Sequence, residues 1–248
     1  MDRPALKLEA QRMLSSHFPF FLVLFLPVLL LDFASAAAYY LASQNGAFRN
    51  QLTQSGTVVS INQDMLVKYL IFSTVLTILI SLLTAGMMFR SIDLLRNKAK
   101  FDQPVNKSFT IFNNWQYFKG AVIIGILTSI LAILWSILFL IPGIIKSFSY
   151  VQSINIYRDA LDAGKPIGYL EAITQSRQMM NGHKWEYFVM DLSFIGWEIV
   201  EGLTFGIASL WVEPYITLSF SNFYIKLADR PDQDDLSTIF KKQHDQND

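Results

Sequence analysis

The sequence predicts an all-α protein, a polytopic transmembrane helical bundle of about six spans that forms a single integral membrane domain over residues 1–248. Hydrophobic residues make up 52% of the chain and charged residues only 16%, against roughly 25% charged residues in soluble domains. The charges are also uneven, since long stretches carry none while Arg90–Lys119 and the residues after Ala228 are rich in them. A bilayer imposes such a separation of charged and apolar segments.

Six segments are predicted to cross the membrane, because a spanning helix needs about 20 mostly apolar residues. The first three are long and apolar, at 18–41, 66–89 and 120–141. The last three are predicted at 143–157, 187–210 and 214–227. The fourth and sixth spans are short and polar, which indicates that they face protein rather than lipid.

The first span also has a rival interpretation. Basic residues at Arg3, Lys7 and Arg12 precede an apolar run and the small residues Ala34-Ser35-Ala36, and this order is typical of a cleavable signal peptide. The apolar run continues through AAAYYLA, however, and its total length suits a full span. We therefore expect the first span to be retained.

The pattern Pro-x-Ile-x-x-Ser-Phe-Ser occurs twice, as PGIIKSFS from Pro142 and as PYITLSFS from Pro214. Proline fits the first turn of a helix, so each copy is predicted to begin a helix after a tight reversal. Spans three and four then form one hairpin, and spans five and six another. An internal duplication and a coincidence both explain the repeat. Ser149 and Ser221 are expected in the bundle interior, because small polar side chains let helices approach closely in lipid.

Lysine and arginine in short loops set the orientation of a membrane protein. The segment between spans two and three carries six of them: Arg90, Arg96, Lys98, Lys100, Lys107 and Lys119. The loop between spans one and two carries only Arg49. We therefore expect both termini to be cytoplasmic, with 229–248 as a polar cytoplasmic tail. Residues 166–181 are predicted to form a short amphipathic helix in the inner interface, between the two hairpins.

The fifth span contains the candidate polar site. Asp191, Glu198 and Glu201 are spaced seven and three residues apart, so in one continuous helix they would share a face. Lys146, early in the fourth span, is the basic candidate for pairing with them, and Asp32 in the first span is a further acidic candidate.

Ionisable residues at membrane depth usually face a bundle interior or water. One interpretation is an ion or proton relay, or a contact with a polar substrate. The other, which we favour, is structural: the carboxyl groups form hydrogen bonds with the serines of spans four and six.

The sequence contains no recognisable motif for catalysis, cofactor binding or metal binding. The chain has no cysteine, and its histidines lie outside the apolar runs, at His17, His183 and His244. There is no H-E-x-x-H, G-x-S-x-G or P-loop motif and no glycine-rich nucleotide fingerprint. We therefore predict no catalytic, cofactor-binding or metal-binding residues and no enzyme. The formal net charge of zero gives no reason to expect a nucleic acid as partner.

The second half of the chain resembles a known family. Its three matching segments are LWSILFLIPGIIKSFSY, EAITQSRQMMNGHKWEYF and LSFIGWEIVEGLTFGIASLWVEPYITLSFSNFYIKL. The elements that match are Trp135, Pro142-Gly143-Ile144, Tyr150, Glu171-Ala172-Ile173, Ser176, Gly182, Phe194-Ile195-Gly196-Trp197, Thr204, Gly206, Pro214-Tyr215 and Phe223-Tyr224. Over about residues 86–228 the chain is similar to the bacterial integral-membrane family known as domain of unknown function 975.

The resemblance implies a multi-pass plasma-membrane protein, mostly of Gram-positive bacteria, with no established activity. Glu198 and Glu201 depart from the apolar pattern that the family has after Gly196-Trp197. We expect a non-enzymatic scaffold or assembly factor in the bacterial plasma membrane, with the lipid bilayer and other membrane proteins as partners. The alternative is a small transporter or channel that uses the acidic residues of the fifth span.

Overall fold

The computed structural model describes residues 2–44, 49–53, 56–60, 62–138, 140–204 and 206–229. The first half contains α1 (Arg3–Ser16), α2 (Phe18–Gln44), β1 (Arg49–Thr53), β2 (Gly56–Ser60), α3 (Gln63–Leu95), α4 (Pro104–Ser108), α5 (Thr110–Asn113) and α6 (Trp115–Leu138). The second half contains α7 (Leu140–Tyr150), α8 (Ser153–Asp162), α9 (Tyr169–Met179), α10 (Lys184–Leu192), α11 (Ile195–Leu203) and α12 (Ser209–Ala228). Within these ranges the predicted all-α class holds for everything except one hairpin.

Local sequence signals set where the helices begin. The Asp2 side chain accepts a hydrogen bond from the Ala5 N–H at 3.2 Å and caps α1. Asn62 caps α3 in the same way, through the Met65 N–H at 3.2 Å. Before α9, the Glu171 carboxylate accepts from the Gly168 N–H at 3.4 Å. Each cap satisfies a backbone donor that has no partner within its helix.

The hairpin between α2 and α3 was not predicted. Its strands β1 and β2 are antiparallel, with Arg49 opposite Ser60 and Thr53 opposite Gly56. The second strand reads GTVVS, in which three consecutive β-branched residues favour an extended backbone. The hairpin lies in the loop between the predicted spans one and two.

Three helices are long and apolar enough to cross a membrane, and they agree with the first three predicted spans. They are Phe18–Gln44, Gln63–Leu95 and Trp115–Ile137. In α2, Pro27 lies within the helix, where a proline disturbs the backbone hydrogen bonds. Nearby, the buried Ser108 hydroxyl donates to the Leu24 carbonyl at 2.6 Å, so α4 is joined to α2 at this turn.

The last three predicted spans are not confirmed, because two of them are interrupted. The fourth, 143–157, is divided between α7 and α8, with a turn at 151–152. The fifth, 187–210, is divided between α10, α11 and the start of α12, with a turn at 193–194. The helices α7, α8, α10 and α11 have 11, 10, 9 and 9 residues. Each is shorter than a helix that crosses the membrane once, which needs about 20 residues.

The two proline-containing copies of the repeat differ in the structure. Pro142 lies in the first turn of α7, as predicted, and α7 packs back on α6. A Cβ added at Gly143 would lie 2.7 Å from the Ser136 Cα, so the two helices approach closely at this glycine. Pro214, in contrast, lies inside α12, which begins at Ser209. The prediction that Pro214 starts a helix is therefore wrong, and the polar copy belongs to the middle of α12.

Helix α12 forms the centre of the bundle. It packs against α1, α2 and α3, and Leu218, Phe223 and Leu227 lie in the main hydrophobic core. Three further clusters of described residues lie beside this core, around Ile124 and Ile173, around Phe89 and Ile111, and around Ile92, Ile156 and Tyr224. The segment predicted as an amphipathic helix, 166–181, contains α9, which buries Ala172, Ile173 and Ser176; its position in the membrane interface stays a prediction. Of the predicted tail, only Asp229 lies within the described residues.

Two buried arginines join three of these helices at one end of the bundle. Arg96, at the end of α3, contacts Asp159 of α8 at 2.6 Å and Asp229 after α12 at 2.7 Å. Arg158 of α8 donates to both carboxylate oxygens of Asp93 at 2.6 Å. We call the group formed by Asp93, Arg96, Arg158, Asp159, Asp162, Tyr224 and Asp229 the arginine cluster.

Neighbouring groups complete the arginine cluster. The Tyr224 hydroxyl donates to Asp159 at 2.9 Å, and Asp162 lies 2.7 Å from Arg158 while accepting a hydrogen bond from Tyr117. Burial alone would lower the pKa of the Arg158 guanidinium, but its hydrogen bonds and the charges of the surrounding carboxylates raise that pKa above its ordinary value. The pKa of Arg96 is raised in the same way. Both arginines are therefore held in their charged form.

We predict that Arg158→Met lowers the free energy of unfolding in detergent by about 3 kcal/mol, because it leaves partly buried carboxylates without their cation. Only 8% of the Arg158 side chain and 22% of the Asp93 side chain are exposed. Arg12→Met, at an exposed position of α1, is the matched control and should change the stability by less than about 0.5 kcal/mol. Equal unfolding free energies for the two variants would contradict the structural role of the cluster.

Candidate functional site

The predicted fifth span is interrupted by a turn at 193–194, between α10 and α11. Here the Phe194 N–H bonds to the Asp191 carbonyl and the Trp197 N–H to the Phe194 carbonyl, three residues back in each case. The Phe194 ring is buried and contacts the Tyr215 ring at 5.5 Å between centroids. This contact holds the turn against α12.

The amino-terminal helix contacts the same turn through Lys7. The Lys7 ammonium lies 3.8 Å from the centre of the Phe194 ring and donates to the Ser193 hydroxyl. Burial, together with the charge of Arg3, lowers the pKa of Lys7. In the sequence, Lys7 is recognisable only as a positive charge near the terminus, because nothing in its local sequence indicates this contact.

Asp191 lies at the edge of a groove between α6, α7, α8 and α10. The groove has a volume of about 400 Å³. Its polar lining consists of Asp191 with Thr128, Ser129, Ser147, Tyr150 and Tyr187. The Asp191 side chain is exposed, whereas Tyr187 is buried. We call this cavity the Asp191 groove.

Glu198 and Glu201 lie beyond the turn, on α11. Glu198 is exposed on α11, and the Glu201 Oε1 atom is shielded from solvent without a hydrogen-bond partner among the described residues. The charges of Glu201, Asp32 and Glu198 all act on Glu213 of α12. These four carboxylates, from α2, α11 and α12, are called the acidic face below.

The acidic face includes a residue that the sequence analysis missed. Glu213 stands directly before the second copy of the repeat, and it is the only charged residue in the run SLWVEPYITLSFSNFY. A single charged residue in an apolar run is a pattern in the sequence that could have identified Glu213 as part of a polar site. The turn at 193–194 lies between Asp191 and the other two predicted carboxylates, and the charge of Glu198 acts on Asp191.

Lys146 does not form an ion pair with a carboxylate in the described part of the chain. Its ammonium lies 4.6 Å from the centre of the Trp135 ring, a cation–π contact. On the same helix, Ser149 is buried and its hydroxyl donates to the Ile145 carbonyl at 3.1 Å. The Ser149 carbonyl accepts from the Ser176 hydroxyl at 2.8 Å, which fixes α9 against α7.

Ser221 is also buried, and its hydroxyl donates to the Thr217 carbonyl at 2.8 Å within α12. Neither Ser149 nor Ser221 therefore uses its hydroxyl as a donor to a carboxylate, and the predicted hydrogen bonds between carboxyl groups and these serines are not formed. The two serines do occupy the bundle interior, as their small size led us to expect. Among the residues described, no group of three or more Asp, Glu and His side chains is placed to hold a metal ion.

We predict that Ser149→Leu and Ser221→Leu each lower the unfolding free energy by about 1–3 kcal/mol, because a larger side chain overfills a packed position. Ser81→Leu is the matched control, because Ser81 is exposed. Its hydroxyl also donates to the carbonyl four residues earlier, that of Thr77, at 2.8 Å. Melting in mild detergent measures the difference. A Ser81 variant as unstable as the other two would argue against a packing effect.

Comparison with known proteins gives one family. The family model described as "Protein of unknown function (DUF975)" matches residues 137–231. No curated protein and no solved structure matches the chain. The matched segment includes α7 to α12 and all six predicted site residues. The resemblance seen in the sequence began at about residue 86, and residues 86–136 lie outside the matched segment. The resemblance to the DUF975 family is therefore confirmed over residues 137–231.

Proposed function

We propose that this protein is a multi-pass membrane scaffold without enzymatic activity, and that it binds the transmembrane segment of another membrane protein at the acidic face. The observation that carries the proposal is the exposure of α11. None of the residues of this helix is buried, and Glu198 lies exposed among large apolar side chains. These are Ile195, Trp197, Ile199, Val200 and Leu203.

The chemistry of the acidic face indicates what would cover it. A carboxylate on a lipid-facing helix is costly, and such groups in membranes normally meet a partner or water. Among the described residues, the charges that act on Glu213 are those of Glu201, Asp32 and Glu198, which are all acidic. A transmembrane helix that carries a lysine, an arginine or hydrogen-bond donors is complementary both to these charges and to the apolar side chains around them.

Several polar groups of the bundle have partners inside the protein. Ser149 and Ser221 bond to carbonyl groups of their own helices, and Arg96 and Arg158 bond to aspartates. This supports a structural rather than a transporting interior. The transporter alternative is favoured by one feature, the Asp191 groove, in which a carboxylate lies beside serine and threonine hydroxyl groups.

The scaffold proposal includes a plasma-membrane location with both termini cytoplasmic. We predict that a cysteine introduced at Ser55 is labelled by an impermeant maleimide added outside intact cells, whereas one at Asn106 is labelled only after permeabilisation. Asn106 is chosen because it is exposed, and the cysteine-free chain provides a clean background. If position 106 is labelled from outside and position 55 is not, the protein has the opposite orientation.

The partner proposal is tested by crosslinking from α11. A cysteine at Ile199, which is 58% exposed, should crosslink in native membranes to one reproducible membrane protein. A cysteine at Ile71 on α3, 63% exposed, is the positional control and should not give this product. Adding Glu198→Lys should reduce the product at least tenfold, because like charges across an interface cost several kcal/mol.

The charge control is Glu9→Lys, at an exposed carboxylate of α1, which should leave the crosslink intact. Crosslinking of Ile199→Cys only to a second copy of this chain would overturn the proposal of a different partner. A pH-dependent flux in liposomes that Asp191→Asn abolishes would overturn the scaffold and establish the transporter.

A further inference from the structure

A second cavity lies on the other side of α7 from the Asp191 groove, between α7, α9 and α10. Its volume is about 330 Å³, which falls in the range of small-ligand sites. Three cationic side chains line it, Lys146 from α7, Arg177 from α9 and Lys184 from α10. The uncharged polar side chains Thr174, Gln178 and Asn181 accompany them, with Ser149 at the wall of α7. We call this cavity the basic pocket.

The cations of the basic pocket are not neutralised within the described residues. No carboxylate lines the cavity, and none forms an ion pair with Lys146, Arg177 or Lys184 in that part of the chain. Elsewhere the buried arginines Arg90, Arg96 and Arg158 all have aspartate partners. Three positive charges around one cavity repel one another, and an anion between them would remove this repulsion.

Backbone groups add to the positive potential. Helix α10 has nine residues and begins at Lys184, which lines the pocket. Its first N–H groups have no acceptor within the helix, and its amino-terminal end carries the positive part of the helix dipole. Lys146 is also held in place, because its ammonium rests on the Trp135 ring. The charges are therefore arranged before any ligand arrives.

The surroundings of the basic pocket indicate an amphiphilic ligand. Ile144 and Ile145, directly before Lys146 on α7, are each 46% exposed. Trp185, directly after Lys184, is 70% exposed, and tryptophan is enriched where membrane proteins meet the lipid head groups. A ligand with an anionic head and an apolar tail would contact the cations and these side chains together.

We propose that the basic pocket binds a phosphate-bearing anion and that an anionic phospholipid, through its head group, supplies it. Basic pockets between membrane helices can bind such head groups. Arg177 forms paired hydrogen bonds with phosphate oxygens, while Lys146 and Lys184 neutralise the charge. This site is separate from the acidic face and does not depend on the scaffold function.

The test measures lipid binding by native mass spectrometry of the full-length protein in detergent. Phosphatidylglycerol and phosphatidylcholine with the same acyl chains are titrated separately. We expect phosphatidylglycerol to bind at least tenfold more tightly. The triple variant Lys146→Gln, Arg177→Gln and Lys184→Gln should lose this preference, and the single variant Arg177→Glu, at an exposed position, should weaken it.

The control triple variant removes the same charge from exposed positions outside the pocket, with Lys98→Gln, Lys119→Gln and Lys165→Gln. It should retain the preference, and melting curves check that each variant is folded. Equal loss of preference in both triple variants would overturn the proposal, since it would show a general effect of net charge. If inorganic phosphate at equal concentration displaces phosphatidylglycerol, the proposal that a phospholipid supplies the anion is wrong.

Discussion

The arginine cluster is the interaction on which the arrangement of the helices depends. Through Arg96 and Arg158 it joins the end of α3 to α8 and to the residues that follow α12. Two guanidinium groups with 11% and 8% exposure are costly to remove from water. The bidentate contact with Asp93 and the hydrogen bond from Tyr224 to Asp159 offset that cost. Each of these groups needs the others to be in place.

The position of α12 follows from this constraint. With its end held by Tyr224 and Asp229, α12 extends through the centre of the bundle, and α1, α2 and α3 cover it. Its polar residues Ser219, Ser221 and Asn222 are therefore buried, and Asn222 donates to the Leu6 carbonyl at 3.2 Å. Since α12 occupies the centre, α11 lies outside it and exposes its apolar side chains. The acidic face is a consequence of this layout.

The parts of the fold that the sequence predicts are those that depend on local composition. The apolar lengths of α2, α3 and α6 are visible in the sequence, and so is the start of a helix near Pro142. The turns at 151–152 and 193–194 contain no proline or glycine, so the sequence carries no local signal for them. They arise from packing: Phe194 is held by Tyr215, and Gln152 is held by the bond from its N–H to Ser176 at 3.2 Å.

The candidate site was predictable in its residue types but not in its grouping. The spacing of Asp191, Glu198 and Glu201 predicts one face only if the helix is continuous, and the turn at 193–194 removes that condition. The partners in the arginine cluster are separated by 63, 65 and 133 residues along the chain. No pattern in a single sequence specifies pairings over such distances. Ser149 and Ser221 were placed correctly because their size alone decides how closely helices can approach.

The contrast between paired and unpaired charges separates structure from recognition in this protein. Arginines that hold helices together have aspartates within 2.6–2.8 Å, so their charge is used inside the fold. The carboxylates of the acidic face lie on α2, α11 and the first turns of α12, and the cations of the basic pocket lie on α7, α9 and α10. In each group the charges have the same sign. Like charges held close together destabilise a fold unless something of opposite charge meets them. These two surfaces, of opposite sign, are therefore where ligands or partners would stabilise the protein most.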